Sequence, residues 1–193
     1  MRKLLVLGLM VLPLLAAGCS KGPAEAALKA ADEAIAKVAP EAEKYVPEQY
    51  ATLTAAASAA KGSFDKGDYA AALAVAKDLP AKATEVMTAA TARKEQLMGE
   101  WNVLSKDLPI LVEDWTKRLD GMAAMKRLPK GLDKSDLEQI KQRLTDMTGT
   151  WAKATEAFNA GDLKGALDLG GNVKTNVDWL QTSYDAIMPA AKK

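Results

Sequence analysis

Two stretches of this 193-residue chain carry one apolar pattern at a fixed separation of 94 residues. Tyr50, Leu53, Ala57, Ala60 and Phe64 follow an unbroken 3-4 spacing, and Leu144, Met147, Trp151, Ala154 and Phe158 repeat it. Side chains three and four residues apart share one face of an α-helix, so each series reads as a buried helical stripe. A second series, Tyr69, Ala72, Ala76, Leu79, Ala83, Val86 and Ala90, falls without a gap on residues 163 to 184. Between the series lies one corner, Phe64, Gly67, Asp68, Ala72 and Leu73, matched by Phe158, Gly161, Asp162, Ala166 and Leu167. Any two bundle helices can share a spacing. Shared spacing with an identical corner reads as internal duplication, the alternative being two hairpins that are alike by chance.

Composition supports a helical reading throughout. Hydrophobic residues make up 49% of the chain but aromatic residues only 5%. Much of the rest is alanine, the strongest helix former and a residue that lets helices approach closely. The expected fold is all-α, a bundle of about six helices built from two similar helical-hairpin units. Helix one is expected from Pro23 or Ala24 to Ala39, stopped or kinked by Pro40. Pro47 suits the first turn of helix two. Gly67 ends that helix and Asp68 caps helix three, which Pro80 should bend. A fourth helix is expected around Pro109 to Met125 and a loop from Leu128 to Lys134. Ser135 and Glu138 then form a capping box for helix five. Gly161 and Asp162 repeat the corner before helix six, where Gly170-Gly171 suggests a close helix crossing. These readings divide the chain into residues 1–18, 19–23, 24–104 and 105–193, the last being a second helical unit packed on the first.

Residues 1–18 have the organisation of a secretory signal. Arg2 and Lys3 precede an apolar run from Leu4 to Leu15, well short of the roughly 20 residues that span a bilayer. Leu15-Ala16-Ala17-Gly18-Cys19 resembles the lipobox of bacterial lipoproteins, with Ala16 where that family most often has Leu. The resemblance implies cleavage between Gly18 and Cys19 and a thioether-linked diacylglycerol on Cys19, with a third acyl chain on its amine in Gram-negative bacteria. Two or three chains hold a protein on a membrane far more firmly than one. Ser20 stands where enteric lipoproteins retained at the inner membrane have Asp, which points to the periplasmic side of the outer membrane. Residues 19–23 then read as a short lipidated tether, its last four residues reaching at most about 14 Å.

The corner Phe-x-x-Gly-Asp-x-x-x-Ala-Leu resembles the inter-helix turn of tetratricopeptide repeats over about ten residues in each half. Those repeats recur near every 34 residues, so their binding groove is not implied by a period of 94.

Much chemistry is excluded by what the chain lacks. There is no His and only one Cys, which leaves no His-ligated haem, no HExxH zinc site and no Ser-His-Asp or Cys-His catalysis. No cofactor or metal ligand set is expected. Glu41 with Glu43, and Glu113 with Asp114, are close in sequence, but such neighbours diverge on a helix and read as solvated faces. Asp65-Lys66-Gly67-Asp68 lacks the alternating ligands of an EF-hand. The whole chain carries 26 basic and 25 acidic residues, and loss of residues 1–18 removes only Arg2 and Lys3. That balance gives no footprint for nucleic acid, and Lys126-Arg127 reads as a solvated helix end. Trp151 belongs to the apolar series, whereas Trp101 and Trp179 are candidates for a partner surface, with partial burial as the simpler reading. The tail, Ala190-Ala191-Lys192-Lys193, loosely resembles the lysine end by which murein lipoprotein is joined to peptidoglycan, but reads more simply as a frayed charged terminus.

These features point to a non-enzymatic helical envelope lipoprotein, lipid-anchored to the membrane and acting on an unidentified envelope protein as a scaffold or accessory factor. The alternative is a small-ligand or lipid carrier with a cavity between the units. An enzyme using carboxylates alone is a third reading.

Overall fold

The computed structural model describes residues 20–187. The chain is all-helical over these residues, with α1 at Lys21–Tyr45, α2 at Pro47–Asp65, α3 at Tyr69–Ala76, α4 at Leu79–Ala123, α5 at Lys134–Asn159 and α6 at Leu163–Ile187. Among the described residues no helix is long and apolar enough to cross a membrane. Cys19 and the residues before it, and the tail from Met188 to Lys193, lie outside the described residues.

Pro40, expected to stop or kink its helix, and Pro109, expected near the start of one, both sit inside helices. α1 passes through Pro40 and α4 through Pro109. Both rings are exposed, so they lie on the outer face, where water can hydrate the carbonyl that loses its amide partner. The apolar stripe of α1, Ala24, Leu28, Ala31, Ile35, Val38, Ala42 and Tyr45, is buried on both sides of Pro40. α1 instead stops before Pro47, whose ring forces Val46 out of the helical region, to φ −140° and ψ 55°. Pro47 then opens α2. At the other end α1 begins at Lys21 and takes Pro23 into its first turn. The tether read over residues 19–23 is therefore mostly helix, and the helical body starts two residues after Cys19.

The third expected helix divides in two. α3 ends at Ala76, Lys77 and Asp78 form a turn, and α4 starts at Leu79 with Pro80 in its first turn. α4 is 45 residues long, so the fourth helix expected from Pro109 is its last third. The loop before α5 is longer than expected, running from Ala124 to Asp133, with Gly131 at φ 95°. The capping box there uses Asp133 and Asp136 instead of Ser135 and Glu138. The Asp133 carboxylate accepts from the Asp136 amide at 3.0 Å, and the Asp136 carboxylate accepts from the Asp133 amide at 2.8 Å. Asp fills either position as well as the expected pair because both need only an acceptor.

Two compact units divide between Lys94 and Glu95, ten residues before the boundary drawn from sequence at 104/105. The first holds α1, α2, α3 and α4 up to Lys94. Its core joins Ala31, Ile35, Val38 and Ala42 of α1 to Leu53 and Ala57 of α2 and to Leu79, Ala83 and Val86 of α4. The second holds the rest of α4 with α5 and α6. Leu108, Trp115 and Leu119 of α4 pack there with Leu144 and Met147 of α5 and with Val173, Val177 and Leu180 of α6.

The 94-residue repeat holds in three dimensions. α2 and α5 end at Asp65 and Asn159, and α3 and α6 begin at Tyr69 and Leu163, each pair 94 apart. Buried Leu53, Ala60, Ala72, Leu79 and Val86 fall on buried Met147, Ala154, Ala166, Val173 and Leu180. The remaining helix of each unit also corresponds, but at a shift of 73. Ala24, Leu28, Ile35 and Ala42 of α1 fall on Leu97, Trp101, Leu108 and Trp115 of α4, and all eight are buried. The shift steps from 73 to 94 between the first and second helices, so the second unit has 21 residues there that the first lacks.

Candidate functional site

The two corners are the same structure. Gly67 and Gly161 take φ 82° and 79°, where a Cβ would be strained. The Gly67 amide donates to Phe64 O and the Asp68 amide to Ser63 O, at 2.9 and 3.0 Å. The Gly161 and Asp162 amides donate to Phe158 O and Ala157 O, at 2.9 and 2.8 Å. This pair of bonds closes a helix end in a Schellman turn. Each Asp then caps the next helix: Asp68 Oδ1 accepts from the Ala71 amide and Asp162 Oδ1 from the Gly165 amide, both at 3.0 Å. Phe64 packs edge-on against Tyr69 with ring centroids 5.0 Å apart. The corners organise the helices.

The two tryptophans proposed for a partner surface part company. Trp101 is only 4% exposed and lies between two rings, 5.3 Å from Trp151 and 4.7 Å from Phe158, stacked nearly parallel to both. It belongs to the core of the second unit. A fourth helix begun at Pro109 hid this role, because Trp101 lies on the stripe of a helix that starts thirty residues earlier. Trp179 is 46% exposed, and the Arg143 guanidinium lies over its ring at 4.1 Å. That contact joins α5 to α6 beside an open groove of about 490 Å³ lined by Gln139, Arg143, Asp146, Thr150, Asn172 and Asn176. Arg143 Nη1 donates to Asn176 Oδ1 at 3.3 Å, and Gln142 Nε2 donates to Asp146 Oδ1 at 2.9 Å. Planar amides, a guanidinium and an exposed indole together offer many donors and acceptors around one aromatic face.

The first unit has the corresponding groove, of about 360 Å³. Gln49, Thr52, Leu53, Ala56 and Lys82 line it, at the positions of Arg143, Asp146, Met147, Thr150 and Asn176. Glu85, also in its lining, stands where the second unit has Trp179. The fold thus makes the groove twice and furnishes it with an Arg–Trp pair once.

A third groove, of about 570 Å³, lies between the end of α4, the loop after it and the start of α5. Leu119, Leu128, Leu137 and Leu144 give it an apolar floor, and Lys134 and Lys141 stand in its lining with Asp120 and Glu138. Nothing in the spacing of the sequence signalled it. Lys126-Arg127, read as a helix end, falls in the loop just past α4.

One member of each acidic pair considered from sequence holds a lysine. Glu41 bonds Lys94 at 3.0 Å across α1 and α4, and Glu113 bonds Lys117 at 2.7 Å along α4. The Glu41 hydrogen bond raises the Lys94 pKa. The Lys117 hydrogen bond lowers that of Glu113. These shifts belong to ion pairs on exposed faces. Among the described residues no three His, Cys, Asp or Glu side chains gather as a metal site. Gly170 is the close-crossing glycine: a Cβ there would meet Leu104 Cδ1 at 3.3 Å and Trp151 Cζ3 at 3.6 Å, while Gly171 has open space.

Comparison with family models, curated proteins and solved structures finds no match to this chain.

Proposed function

We propose that the chain is a lipid-anchored envelope protein that works through protein contacts, as a scaffold or accessory factor, without catalysis. The reading places it on the periplasmic side of the outer membrane, held by acyl chains on Cys19. The lipobox-like Leu15–Cys19 supports the anchor, and the start of α1 at Lys21 keeps the helical body close to it.

The observation that carries the contact reading is the Arg143–Trp179 pair. Trp and Arg are the residues most often dominant in protein interfaces, because a rigid ring and a planar guanidinium bury much surface at little entropic cost. Here Arg143 lines an amide-rich groove and Trp179 lies against its guanidinium. Pull-down from cross-linked membranes, comparing the wild-type chain with Trp179→Ala, tests it. Loss of a specific partner at least tenfold in Trp179→Ala is expected, with the chain still folded. Equal recovery by both would remove the pair from the interface, and Cys19→Ala released from membranes would be expected to lose the partner as well.

A further inference from the structure

The 21 residues that the second unit has in excess are not required by the fold. The first unit joins its equivalent helices through Val46 alone. In the second unit α4 and α5 run past that framework and are joined by ten residues, 124–133, longer than most helix–helix connections in bundles. The composition of this extension is its own. Lys126, Arg127, Lys130 and Lys134 lie in it and Lys141 at its edge, where the first unit has Pro47, and all five are exposed. Among the described residues none of the five is in an ion pair, whereas Lys61, Lys94, Lys117, Lys164 and Lys174 each hold a carboxylate. The stretch also carries four acids, Asp133 and Asp136 in the capping box and Asp120 and Glu138 in the groove lining beside Lys134 and Lys141, while residues 121–132 carry Lys126, Arg127 and Lys130 and no acid. Beside these cations Met125 is 44% exposed and Leu128 half-buried, at the mouth of the leucine-floored groove.

We infer that this extension docks on a bilayer surface and holds an anionic phospholipid, its phosphate among Lys126, Lys130, Lys134 and Lys141 and its chain along Leu119, Leu128, Leu137 and Leu144. Unpaired cations next to exposed apolar side chains are the composition of interfacial membrane segments, in which the charges draw the protein to anionic lipid and the apolar groups enter below the headgroups. A soluble polyanion would use the cations but not the apolar floor. The groove has a volume usual for a small-molecule site. This contact does not depend on Cys19 being acylated.

The test uses the chain as isolated from its membranes, mixed with vesicles of phosphatidylcholine alone or with phosphatidylglycerol, and labels lysines with an amine-reactive ester. Lys126, Lys130, Lys134 and Lys141 should be protected several-fold on the anionic vesicles, with Lys164 and Lys174 unchanged. Neutralising cations should weaken that protection about fivefold for each residue in Lys130→Gln and Lys134→Gln. A diazirine-bearing phosphatidylglycerol should cross-link to residues 119–144, and less in Leu128→Ser, whose partly exposed position leaves the core intact. Protection equal on both vesicles, or spread evenly over all lysines, would overturn the inference. So would equal protection by inorganic polyphosphate, which would mark a soluble-anion site. An acyl anchor on Cys19 would bind both vesicle types alike, so its presence or absence is read separately from the difference between them.

Discussion

The two units have one framework and two different fillings. In the first, the buried positions are largely alanine: Ala24, Ala31, Ala42, Ala57, Ala60, Ala72, Ala76, Ala83 and Ala90. In the second, Leu28 and Ala42 are replaced by Trp101 and Trp115, and Ala57, Ala83 and Ala90 by Trp151, Val177 and Tyr184. Helix axes pack at about 8 to 10 Å according to the side chains between them. An alanine core therefore draws its stability from close backbone approach, and an aromatic core from burial of large side chains. A duplicated backbone tolerates both, because each face needs only apolar residues whose combined volume fills the space. What it does not tolerate is an exchange of one filling without the other.

The largest expected effect comes from removing an aromatic from the second unit. Trp101→Ala deletes the middle ring of a three-ring stack and should cost about 3–5 kcal/mol. All four tryptophans lie beyond residue 94, so urea unfolding followed by Trp fluorescence reads the second unit selectively. A midpoint left in place would show that the stack is not what holds that core. The converse exchange, Ala60→Leu, adds volume at a position with no exposure and should cost about 1–3 kcal/mol by overpacking. Circular dichroism should show that loss while the fluorescence transition stays put. If fluorescence moves too, the units do not unfold separately.

The corners should behave alike. Gly67→Ala and Gly161→Ala each force a Cβ into left-handed backbone and should cost about 1–2 kcal/mol, by thermal unfolding. Unequal losses would show that tertiary context, and not the turn, sets the cost. The smallest effect is expected at Gly165, where the first unit has Ala71. Gly165→Ala should stabilise by up to about 1 kcal/mol through helix propensity, provided the Asp162 carboxylate shifts aside as Asp68 has done. A loss in thermal stability would mean that the Asp162 cap cannot move.

Much of the fold was legible because helix faces and corners are local. The 3-4 spacing needs only the helix period, and Gly67 and Asp68 act on amides within a few residues. Boundaries were less legible where a general rule competed with packing. Pro40 and Pro109 can end helices, yet both are carried on outer faces by stripes that remain buried on either side. Missing the passage of α4 through Pro109 displaced the unit boundary and left Trp101 looking like a surface residue. Trp179 was visible at the edge of its stripe, but its partner Arg143 lies 36 residues earlier on another helix, and no local pattern links them.

By itself the sequence determined the all-helical class, the 94-residue repeat and the identical corners, since propensity, period and capping are properties of short segments. Its lipobox-like start also supplied the one residue with an expected chemical fate, Cys19. Only the tertiary structure decided which tryptophan is core and which is exposed, that one helix supplies both units, and that the end of α4, the loop after it and the start of α5 enclose a leucine-lined groove. Those outcomes depend on contacts between residues far apart in the chain, whose energies appear only when the helices pack.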